Sequence, residues 1–516
     1  MKTIAFHNLG CKVNSYELDV MQQIMREKGF EIVPFDQKAD VYVINTCTVT
    51  NIADRKSRQM LHRAKQKNPK AVVVAVGCYV QTDLEGALKD PAIDLVIGNN
   101  RKKDIAQILE EYLSAHDKTQ VSETPTDGAL GCAATSDKDR GCAATLDKTL
   151  GGTTVLDIAH EKAYEEMQLK TTAEHTRAYV KIQDGCNQFC SYCAIPLARG
   201  RVRSRKAEDI ISEIRGIVAA GYLEIVLTGI HVSSYGIDLA MQERKEALAG
   251  NAQDASAPVD YRGQTKLFDL IEQIHEIPGL ERIRISSLEP RIVTPETAKR
   301  LAALPKVCPH FHLSLQSGCD ETLKRMNRHY TAQQYLESVQ ALREAYAPRV
   351  PAITTDVIVG FPGETEEEFE TTKAFLQKVG FYEMHVFKYS KRKGTRAAVM
   401  PDQVPDQVKA ERSDLLLALE REQSIAFRKN KLGQTEEVLF EEEKVVGGKQ
   451  YLLGHTMDYV KVALPITQGK AQKAPKQMGT LERQTPQAPT SGTLCTLTLQ
   501  EFLTEEILLG HEATLF

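Results

Sequence analysis

Three of the eleven cysteines lie within eight residues, in the stretch Cys186-Asn-Gln-Phe-Cys190-Ser-Tyr-Cys193. Three soft thiolates in one short loop can bind a single metal centre. A structural zinc site would require a fourth ligand, and no further cysteine or histidine is near in the sequence. An iron–sulfur cluster with three protein thiolates instead leaves one iron open for an external ligand. The spacing therefore predicts a cluster with an open iron.

A second set of cysteines is spread over the first eighty residues. Cys11, Cys47 and Cys78 each follow a short apolar run that is typical of a buried parallel strand. The carboxyl ends of parallel strands lie at one edge of a sheet, where neighbouring strands are about 4.8 Å apart. A single cysteine at a strand end is usually a core residue, but three in successive turns predict a second cluster.

The other five cysteines are expected to have no ligand role. Cys132 and Cys142 occupy the same place in two copies of a tandem decamer, GCAATSDKDR and GCAATLDKTL. Cys308, Cys319 and Cys495 lie in or beside apolar segments, where a partly buried hydrophobic residue is the default interpretation.

The composition of the chain limits the classes of protein to which it can belong. The chain has 516 residues, of which 42% are hydrophobic and 26% charged, which is typical of a globular protein and excludes a disordered or collagenous one. The N-terminus lacks a secretory signal and no apolar run is long enough to span a membrane, so we expect a cytoplasmic protein with reduced thiols. The net charge of -4 does not indicate nucleic-acid binding, so such a role requires local basic patches.

The fold class predicted from hydrophobic periodicity is α/β, with a small all-β part at the end. The predicted organisation is a doubly wound parallel α/β domain at 1–115, a polar linker at 116–175, an open (β/α)6 barrel at 176–400, a connecting helix at 401–431 and a small β-barrel at 432–516. Besides the linker, polar inserts are expected at 239–263 and 466–491.

Several motifs carry a resemblance to known enzymes. The stretch DGCNQFCSYCAIPLARGRVRSR, with Tyr192 before the last cysteine, resembles the signature of the radical S-adenosylmethionine (SAM) superfamily. With the second cysteine triad and the terminal barrel, nearly the whole chain apart from its inserts is similar to the methylthiotransferases. Further similar motifs are HLSLQSGC, LKRMNRHY, DVIVGFPGETEEEF, HVFKYSKRKGTRA and LTGIHVSSYG. The last four are most similar to the branch that modifies threonylcarbamoyladenosine in tRNA, rather than to the isopentenyladenosine or ribosomal-protein branches.

The resemblance implies the cofactors and the reaction. Cys186, Cys190 and Cys193 would hold a [4Fe–4S] cluster that binds SAM, and Cys11, Cys47 and Cys78 would hold an auxiliary [4Fe–4S] cluster. Of two SAM molecules per turnover, one would methylate sulfur at the auxiliary cluster and one would yield a 5′-deoxyadenosyl radical that activates carbon 2 of the adenine.

The resemblance also implies partners and a product. The substrate would be N6-threonylcarbamoyladenosine at position 37 in the tRNA anticodon arm, converted to its 2-methylthio derivative. A reduced flavodoxin-like or ferredoxin-like protein would donate electrons, the terminal barrel would be an RNA-binding TRAM domain, and we expect a monomer with no membrane partner.

Residues for SAM contacts follow from the same motifs. His312, Ser314 and Gln316 alternate and therefore share one face of their strand, although a polar strand end with local hydrogen bonds is an equal alternative. Gly229 ends a predicted strand, and a glycine at a strand end is also common in turns. Gly360 comes just before Gly363-Glu364-Thr365, and this GET sequence before EEEF is also an ordinary helix start. The candidates are Tyr192, Thr228, Gly229, His231, Ser314, Gln316 and Gly360.

Two acid-free basic stretches next to these motifs are candidates for RNA contacts, since phosphates attract lysine and arginine. A third basic patch lies in the helix predicted around residues 54–67. A charge run is more often only a solvated face. The candidates are Arg199, Arg201, Arg203 and Arg205 after the cysteine loop, and Lys391, Arg392 and Lys393 after the last predicted barrel strand.

Two alternatives of other kinds remain open. A radical SAM methyltransferase or sulfur-inserting enzyme would need the first cluster but would leave Cys11, Cys47 and Cys78 without a role. A non-enzymatic, metal-stabilised RNA-binding protein would explain the cysteines and basic stretches but would leave the (β/α)6 barrel without one.

Overall fold

The computed structural model describes residues 2–120, 153–170, 176–247, 265–466 and 489–515. The chain forms two compact units. The first contains 1–169, 184–187 and 193–203, and the second contains 170–183, 188–192 and 204–516. The cysteine loop is thereby divided, because Cys186 and Cys193 belong to the first unit and Cys190 belongs to the second.

The first unit is built on a six-stranded sheet in the order β2-β1-β3-β4-β5-β6, and all neighbouring strands run parallel. Strands β3 and β4 are buried along almost their whole length because helices cover both faces of a doubly wound sheet. The strands are β1 (Thr3–Asn8), β2 (Glu31–Val33), β3 (Val41–Thr46), β4 (Val72–Gly77), β5 (Leu95–Ile97) and β6 (Thr153–Thr154). The helices are α1 (Lys12–Glu27), α2 (Asn51–Lys67), α3 (Cys78–Thr82), α4 (Leu84–Leu88) and α5 (Ile105–Gln120).

Residues 153–170 differ from the polar linker predicted for 116–175. β6 extends the sheet beyond β5, and Ile158, Met167 and Leu169 are buried in the first unit. The Tyr16 hydroxyl donates to the Met167 carbonyl at 2.6 Å. These few apolar residues are separated by charged ones, so they leave no periodic signal in the sequence. The tandem decamer, with Cys132 and Cys142, lies outside the described residues.

The middle of the chain forms a barrel of parallel strands joined by helices. A sheet in the order β10-β9-β7-β8 and a sheet in the order β11-β12-β13 are linked by single bridges from Ile283 to Val307 and from Leu288 to Leu313. Its strands are β7 (Ala178–Asp184), β8 (Arg203–Ser204), β9 (Glu224–Gly229), β10 (Arg282–Ile285), β11 (His310–His312), β12 (Ala352–Val359) and β13 (Glu383–Lys388). Its helices are α6 (Ile195–Arg199), α7 (Ala207–Ala219), α8 (Ile237–Ala247), α9 (Leu267–His275), α10 (Pro295–Ala302), α11 (Asp320–Arg325), α12 (Ala332–Tyr346) and α13 (Glu366–Val379).

Six of these strands, all except the short β8, make the (β/α)6 pattern, and in the described part of the chain no pairing joins β13 back to β7. The barrel is therefore open, which confirms the predicted fold class. Isoleucine, leucine and valine side chains from the strands and covering helices form its continuous core. Cys308 and Cys319 are buried beside this core, as predicted for small hydrophobic residues.

After the long helix α14 (Asp406–Lys429), five strands close into a β-barrel in the order β14-β15-β16-β18-β17. The predicted all-β terminal part is thus confirmed, and Cys495 is buried in its core beside Leu497. The strands are β14 (Thr435–Val446), β15 (Lys449–Thr456), β16 (Lys461–Pro465), β17 (Leu494–Thr504) and β18 (Ile507–Leu515).

The two barrels belong to one compact unit, although the sequence suggests separate domains. Arg282 donates to the His455 carbonyl at 3.0 Å, and Arg284 donates to the Met457 carbonyl at 3.1 Å. Both arginines and Arg177 surround the buried Glu224; burial alone would raise its pKa, but these cations lower it to about 2. No helix within the described ranges has the length and apolar character that crossing a membrane requires.

Candidate metal centres

Cys11, Cys47 and Cys78 follow three neighbouring strands of the first unit. Cys11 lies just before α1, Cys47 comes directly after β3, and Cys78 is the first residue of α3 after β4. The three thiols are close enough to influence one another's ionisation, so the structure brings the predicted triad together. Their sulfurs do not all lie within 4.8 Å of one another, the spacing expected for one ion. A four-iron cluster binds each thiolate at a different iron and so requires a wider triad.

Glycine is required where the first of these turns meets the second. Gly10 has a φ of +116°, and an added Cβ would lie 3.0 Å from Cys47 Cβ and 3.1 Å from Cys47 Sγ. A side chain at position 10 would therefore push against the Cys47 thiol as well as strain the backbone.

Burial keeps two of these thiols, Cys11 and Cys47, protonated when no metal is bound. It raises the pKa of Cys47 to about 12, with a smaller contribution from the charge of Cys78, and it also raises the pKa of Cys11. Metal ligands must be thiolates, so occupation of the triad must release protons.

The guanidinium of Arg199 reaches the third cysteine of this triad. Arg199 is fully buried, and its Nε donates to Cys78 Sγ at 3.3 Å. Its Nη2 donates to Asn14 Oδ1 at 2.6 Å, and its Nη1 donates to Glu17 Oε1 at 2.5 Å. Asn99 donates a second, longer hydrogen bond to Cys78 Sγ at 3.6 Å. Cys78 thus has two N–H donors, which stabilise a thiolate more than a thiol.

Buried charges around Arg199 balance one another. Glu17 also pairs with the buried Lys102, and Asp184 Oδ2 lies 3.3 Å from Arg199 Nη1. Buried Arg203 lies 3.8 Å from the same Asp184 oxygen, so three cations are enclosed with two carboxylates, which offsets the high cost of burying each charge alone.

These contacts correct the RNA-binding prediction for several arginines. Arg199, Arg203 and Arg205 are buried, and Arg205 pairs with Glu213. Arg392 is also buried. Their side chains are not available to a phosphate, because all four are buried, and Arg199, Arg203 and Arg205 also lie against acidic side chains. The candidates that remain exposed are Arg201, Lys391 and Lys393.

The cysteine loop begins at the end of β7. Gly185 has a φ of +71°, and an added Cβ would lie 1.8 Å from the Arg201 carbonyl oxygen, so only glycine fits. In the first unit, the Cys186 N–H donates to the Gly200 carbonyl at 3.0 Å. In the second unit, the Ser191 N–H donates to the Met326 carbonyl at 3.0 Å. Backbone hydrogen bonds therefore fix the loop at its first cysteine and next to its middle cysteine.

Arg328 contacts the middle cysteine of the loop. Its Nη1 donates to Cys190 Sγ at 3.2 Å, and its Nε donates to the Tyr330 hydroxyl at 3.0 Å. Tyr330 in turn donates to the Ser314 carbonyl at 2.6 Å. Arg328 was not predicted as a site residue, and its place within the motif LKRMNRHY is the signal in the sequence that could have indicated it.

The candidate SAM residue His231, two residues after β9, lies beside the buried carboxylate of Glu289, which was not predicted from the sequence. The His231 N–H donates to Gln183 Oε1 at 2.8 Å, and His231 Nε2 lies 3.4 Å from Glu289 Oε2. Glu289 also accepts a hydrogen bond from the loop residue Gln188 at 3.1 Å. Burial alone would raise the pKa of Glu289, but His231 and Arg291 lower it below its usual value. Thr228 is buried and Gly229 ends the strand in close contact with Gln183.

The remaining SAM candidates lie in the cysteine loop and beyond the ends of β11 and β12. The prediction that His312, Ser314 and Gln316 share one face of a strand is wrong, because β11 ends at His312. Gln316 has a φ of +73°, and its N–H donates to the Asp356 carbonyl at 2.8 Å. The Tyr192 ring packs edge-on against Phe361, 6.3 Å between centroids. Gly360 has a φ of +69° and leaves no room for a Cβ beside Lys409. The helix start predicted at GET is confirmed, because the Thr365 side chain caps α13. SAM contacts by these residues stay a prediction.

An open (β/α)6 barrel with a C-x3-C-x2-C loop after its first strand is the architecture of a radical SAM enzyme. The model of the radical SAM superfamily matches residues 180–376, and that of uncharacterized protein family UPF0004 matches residues 3–98.

Similarity to curated relatives over most of the chain identifies its family within the radical SAM superfamily. The chain is 38% identical to threonylcarbamoyladenosine tRNA methylthiotransferase MtaB of Bacillus subtilis, over 92% of this chain and 93% of the relative. It is 36% identical to the Aquifex aeolicus protein of the same name, over 86% and 94%. It is 33% identical to tRNA-2-methylthio-N(6)-dimethylallyladenosine synthase of Carboxydothermus hydrogenoformans, over 89% and 96%. The chain belongs to the radical SAM methylthiotransferase family, whose cofactors are SAM and [4Fe–4S] clusters.

Proposed function

We propose that the protein methylthiolates carbon 2 of N6-threonylcarbamoyladenosine at position 37 of tRNA. The observation that carries the proposal is the 38% identity over 92% of the chain to a relative named for this substrate. The two cysteine triads support it, because both are present and each has an arginine hydrogen-bonded to one sulfur.

The donor sets fit the two clusters that the family uses. Cys186, Cys190 and Cys193 would hold the SAM-binding cluster, and Cys11, Cys47 and Cys78 of the first unit would hold the auxiliary cluster. When bound, the clusters and SAM supply reductive cleavage to a carbon radical and a methylated sulfur, chemistry that no side chain provides. A reduced flavodoxin-like or ferredoxin-like protein is the proposed source of electrons.

The residues of the chain would position and shield these groups. Arg199 and Asn99 donate to Cys78, and Arg328 donates to Cys190, so each triad has hydrogen bonds that favour the thiolate. The low exposure of Cys47 and Cys78 would exclude water from the auxiliary site.

Exposed basic residues would contact the tRNA backbone. Arg201, Lys391 and Lys393 are exposed, and helix α2 adds a basic outer face. Because neutralised phosphates release counterions, affinity for the anticodon arm should fall steeply with salt. An affinity that stays the same between low and moderate salt would contradict this part of the proposal.

A pair of substitutions tests one of these residues. Lys393→Gln is expected to weaken tRNA binding, and Lys429→Gln, at the end of α14, is the control outside these patches.

The substrate is tested by mass spectrometry of tRNA nucleosides from cells with and without the gene. We expect the 2-methylthio-threonylcarbamoyl nucleoside to disappear in the deletion strain and to return with the wild-type gene, but not with the Cys78→Ala gene. If the 2-methylthio-isopentenyl nucleoside is lost instead, the protein has the second candidate function, methylthiolation of isopentenyladenosine in tRNA. The 33% identity to the synthase of Carboxydothermus hydrogenoformans supports this second candidate. Unchanged levels of both would refute the tRNA proposal.

Iron content separates the proposed enzyme from the alternatives. Anaerobic reconstitution should give about eight irons per chain, counting four for each cubane cluster, together with SAM cleavage. About four irons would favour a radical SAM enzyme without the auxiliary cluster. Zinc binding without SAM cleavage would favour a metal-stabilised RNA-binding protein.

A further inference from the structure

A third group of metal-ligand side chains lies on the strands of the second unit, apart from both cysteine triads. His312 ends β11, Asp356 is in β12, and His385 is in β13. One ligand atom from each residue lies within 4.8 Å of one from each of the other two. Among the residues that the structure describes, this is the one group of three that meets this spacing.

Sheet register explains how the three side chains meet. The strands pair in parallel in the order β11-β12-β13, and Asp356 is directly opposite His385. His312 is opposite Thr354, which shares a face with Asp356 because side chains two apart point to the same side of a strand. Two histidines and one carboxylate are thus fixed on rigid neighbouring strands rather than on loops.

The local hydrogen bonds suit a metal ligand. His312 Nδ1 lies 3.0 Å from Thr354 Oγ1, and this contact fixes the orientation of the ring. His312 Nε2 then faces Asp356 Oδ2 at 3.3 Å, and the rings of His312 and His385 stack 5.8 Å apart. A ligating histidine commonly uses its other nitrogen for such an orienting bond.

We propose that His312, Asp356 and His385 bind a divalent transition-metal ion. Two imidazoles and one carboxylate match the ligand preference of zinc, iron and manganese, and three protein ligands leave coordination positions open. His385 is exposed and the other two residues are half-buried, so an ion could enter from solvent. The open positions would take an oxygen ligand, such as a carboxylate or carbonyl, from a molecule lying against this face.

Manganese binding to the oxidised holoenzyme tests the proposal. Free Mn²⁺ gives a six-line electron paramagnetic resonance spectrum that is lost on binding, oxidised [4Fe–4S] clusters do not mask it, and Mn²⁺ binds thiolates poorly. We expect one site per chain, and we expect Zn²⁺ to displace the manganese. His385→Ala and Asp356→Asn should each weaken binding at least about tenfold, and Thr354→Val about tenfold by releasing the His312 ring.

The matched control is His160→Ala. His160 forms a histidine–aspartate pair with Asp157, Nδ1 to Oδ2 at 2.7 Å, but belongs to no group of three ligands. This substitution should leave manganese affinity unchanged. Iron content and circular dichroism check that each variant keeps its clusters and fold, and His385 is exposed, so its replacement should not disturb the core. Equal manganese affinity in the wild type, His385→Ala and Asp356→Asn, or no binding by any of them, would overturn the proposal. Because no tRNA is present, failure here would leave the proposed reaction untouched.

Discussion

The two cysteine triads are built in opposite ways. Cys186, Cys190 and Cys193 come from one eight-residue loop, are partly exposed, and are positioned by backbone hydrogen bonds. The triad of the first unit comes from three strand ends separated by more than thirty residues, and Cys47 and Cys78 are buried. The loop triad depends on local chain conformation, whereas the strand-end triad depends on the whole sheet being folded.

The same contrast extends to the arginines on the sulfurs. Arg328 reaches Cys190 from the end of α11 and also donates to a tyrosine hydroxyl. Arg199 reaches Cys78 within a closed set of buried charges that includes Glu17 and Lys102. We therefore expect the strand-end triad to be the more sensitive of the two to substitutions that affect folding.

Removing single cysteines should separate the two triads most strongly. Cys190→Ala should abolish formation of 5′-deoxyadenosine from SAM, because the proposed SAM-binding cluster would lose one of its three thiolate ligands. Cys78→Ala should abolish methylthiolation but leave SAM cleavage measurable by liquid chromatography. Cys308→Ala, a buried cysteine outside both triads, is the control for losing a thiol. If 5′-deoxyadenosine formation persists in Cys190→Ala and in the corresponding Cys186→Ala and Cys193→Ala variants, the assignment of the loop triad to the SAM-binding cluster is refuted.

Arg199→Met should destabilise the first unit by about 3–5 kcal/mol, because Glu17 and Asp184 would each lose one of their buried cationic partners. Iron content should fall from about eight towards about four per chain. Arg201→Met, two residues along and exposed, should change stability by less than about 0.5 kcal/mol. Thermal unfolding and iron assays measure both effects. Equal melting temperatures for the two variants would contradict the buried charge network.

Gly10→Ala tests how closely the strand-end turns are packed. The substitution strains a backbone with a φ of +116° and places a methyl group against Cys47, so we expect a loss of about 1–2 kcal/mol and of auxiliary iron. Gly29→Ala carries similar strain at a φ of +83° but meets no atom within 4 Å. It should lose stability while keeping about eight irons. Equal iron loss in both variants would mean that backbone strain, and not contact with Cys47, is responsible.

Titration of Cys47 gives the smallest expected effect. Burial raises the folded pKa of this thiol to about 12 from an ordinary value of 9.0, so above pH 9 the unfolded chain releases a proton that the folded chain keeps. The stability of the cluster-free protein should therefore fall as pH rises, by about 1 kcal/mol between pH 9 and 10. Chemical denaturation at both pH values measures this, and Cys47→Ser should remove that part of the slope. A slope identical in the two proteins would contradict the burial of the thiol.

Sequence and structure agree most closely where chemistry is local or strands are regular. The apolar runs before Cys11, Cys47 and Cys78 were sufficient to predict the α/β architecture and the strand ends after which these cysteines lie. The ligand roles of these three cysteines and of the three loop cysteines stay predictions. Charge was harder, because exposure depends on partners distant in the sequence. Arg199 lies in a run of basic residues, yet Glu17 lies 182 positions away. Glu289 and Arg328 were missed for the same reason.

The first unit is built from separate stretches of the chain, and the ribosome synthesises these stretches at different times. Its sheet is complete once residue 154 has left the ribosome, but Asp184 and Arg199 follow later. Until then Glu17 can pair with Lys102 but not with Arg199, and Cys78 lacks its arginine donor. A fragment that ends at residue 169 would contain all three strand-end cysteines without their charge balance. Loading of the auxiliary site should therefore follow synthesis of α6 and not precede it.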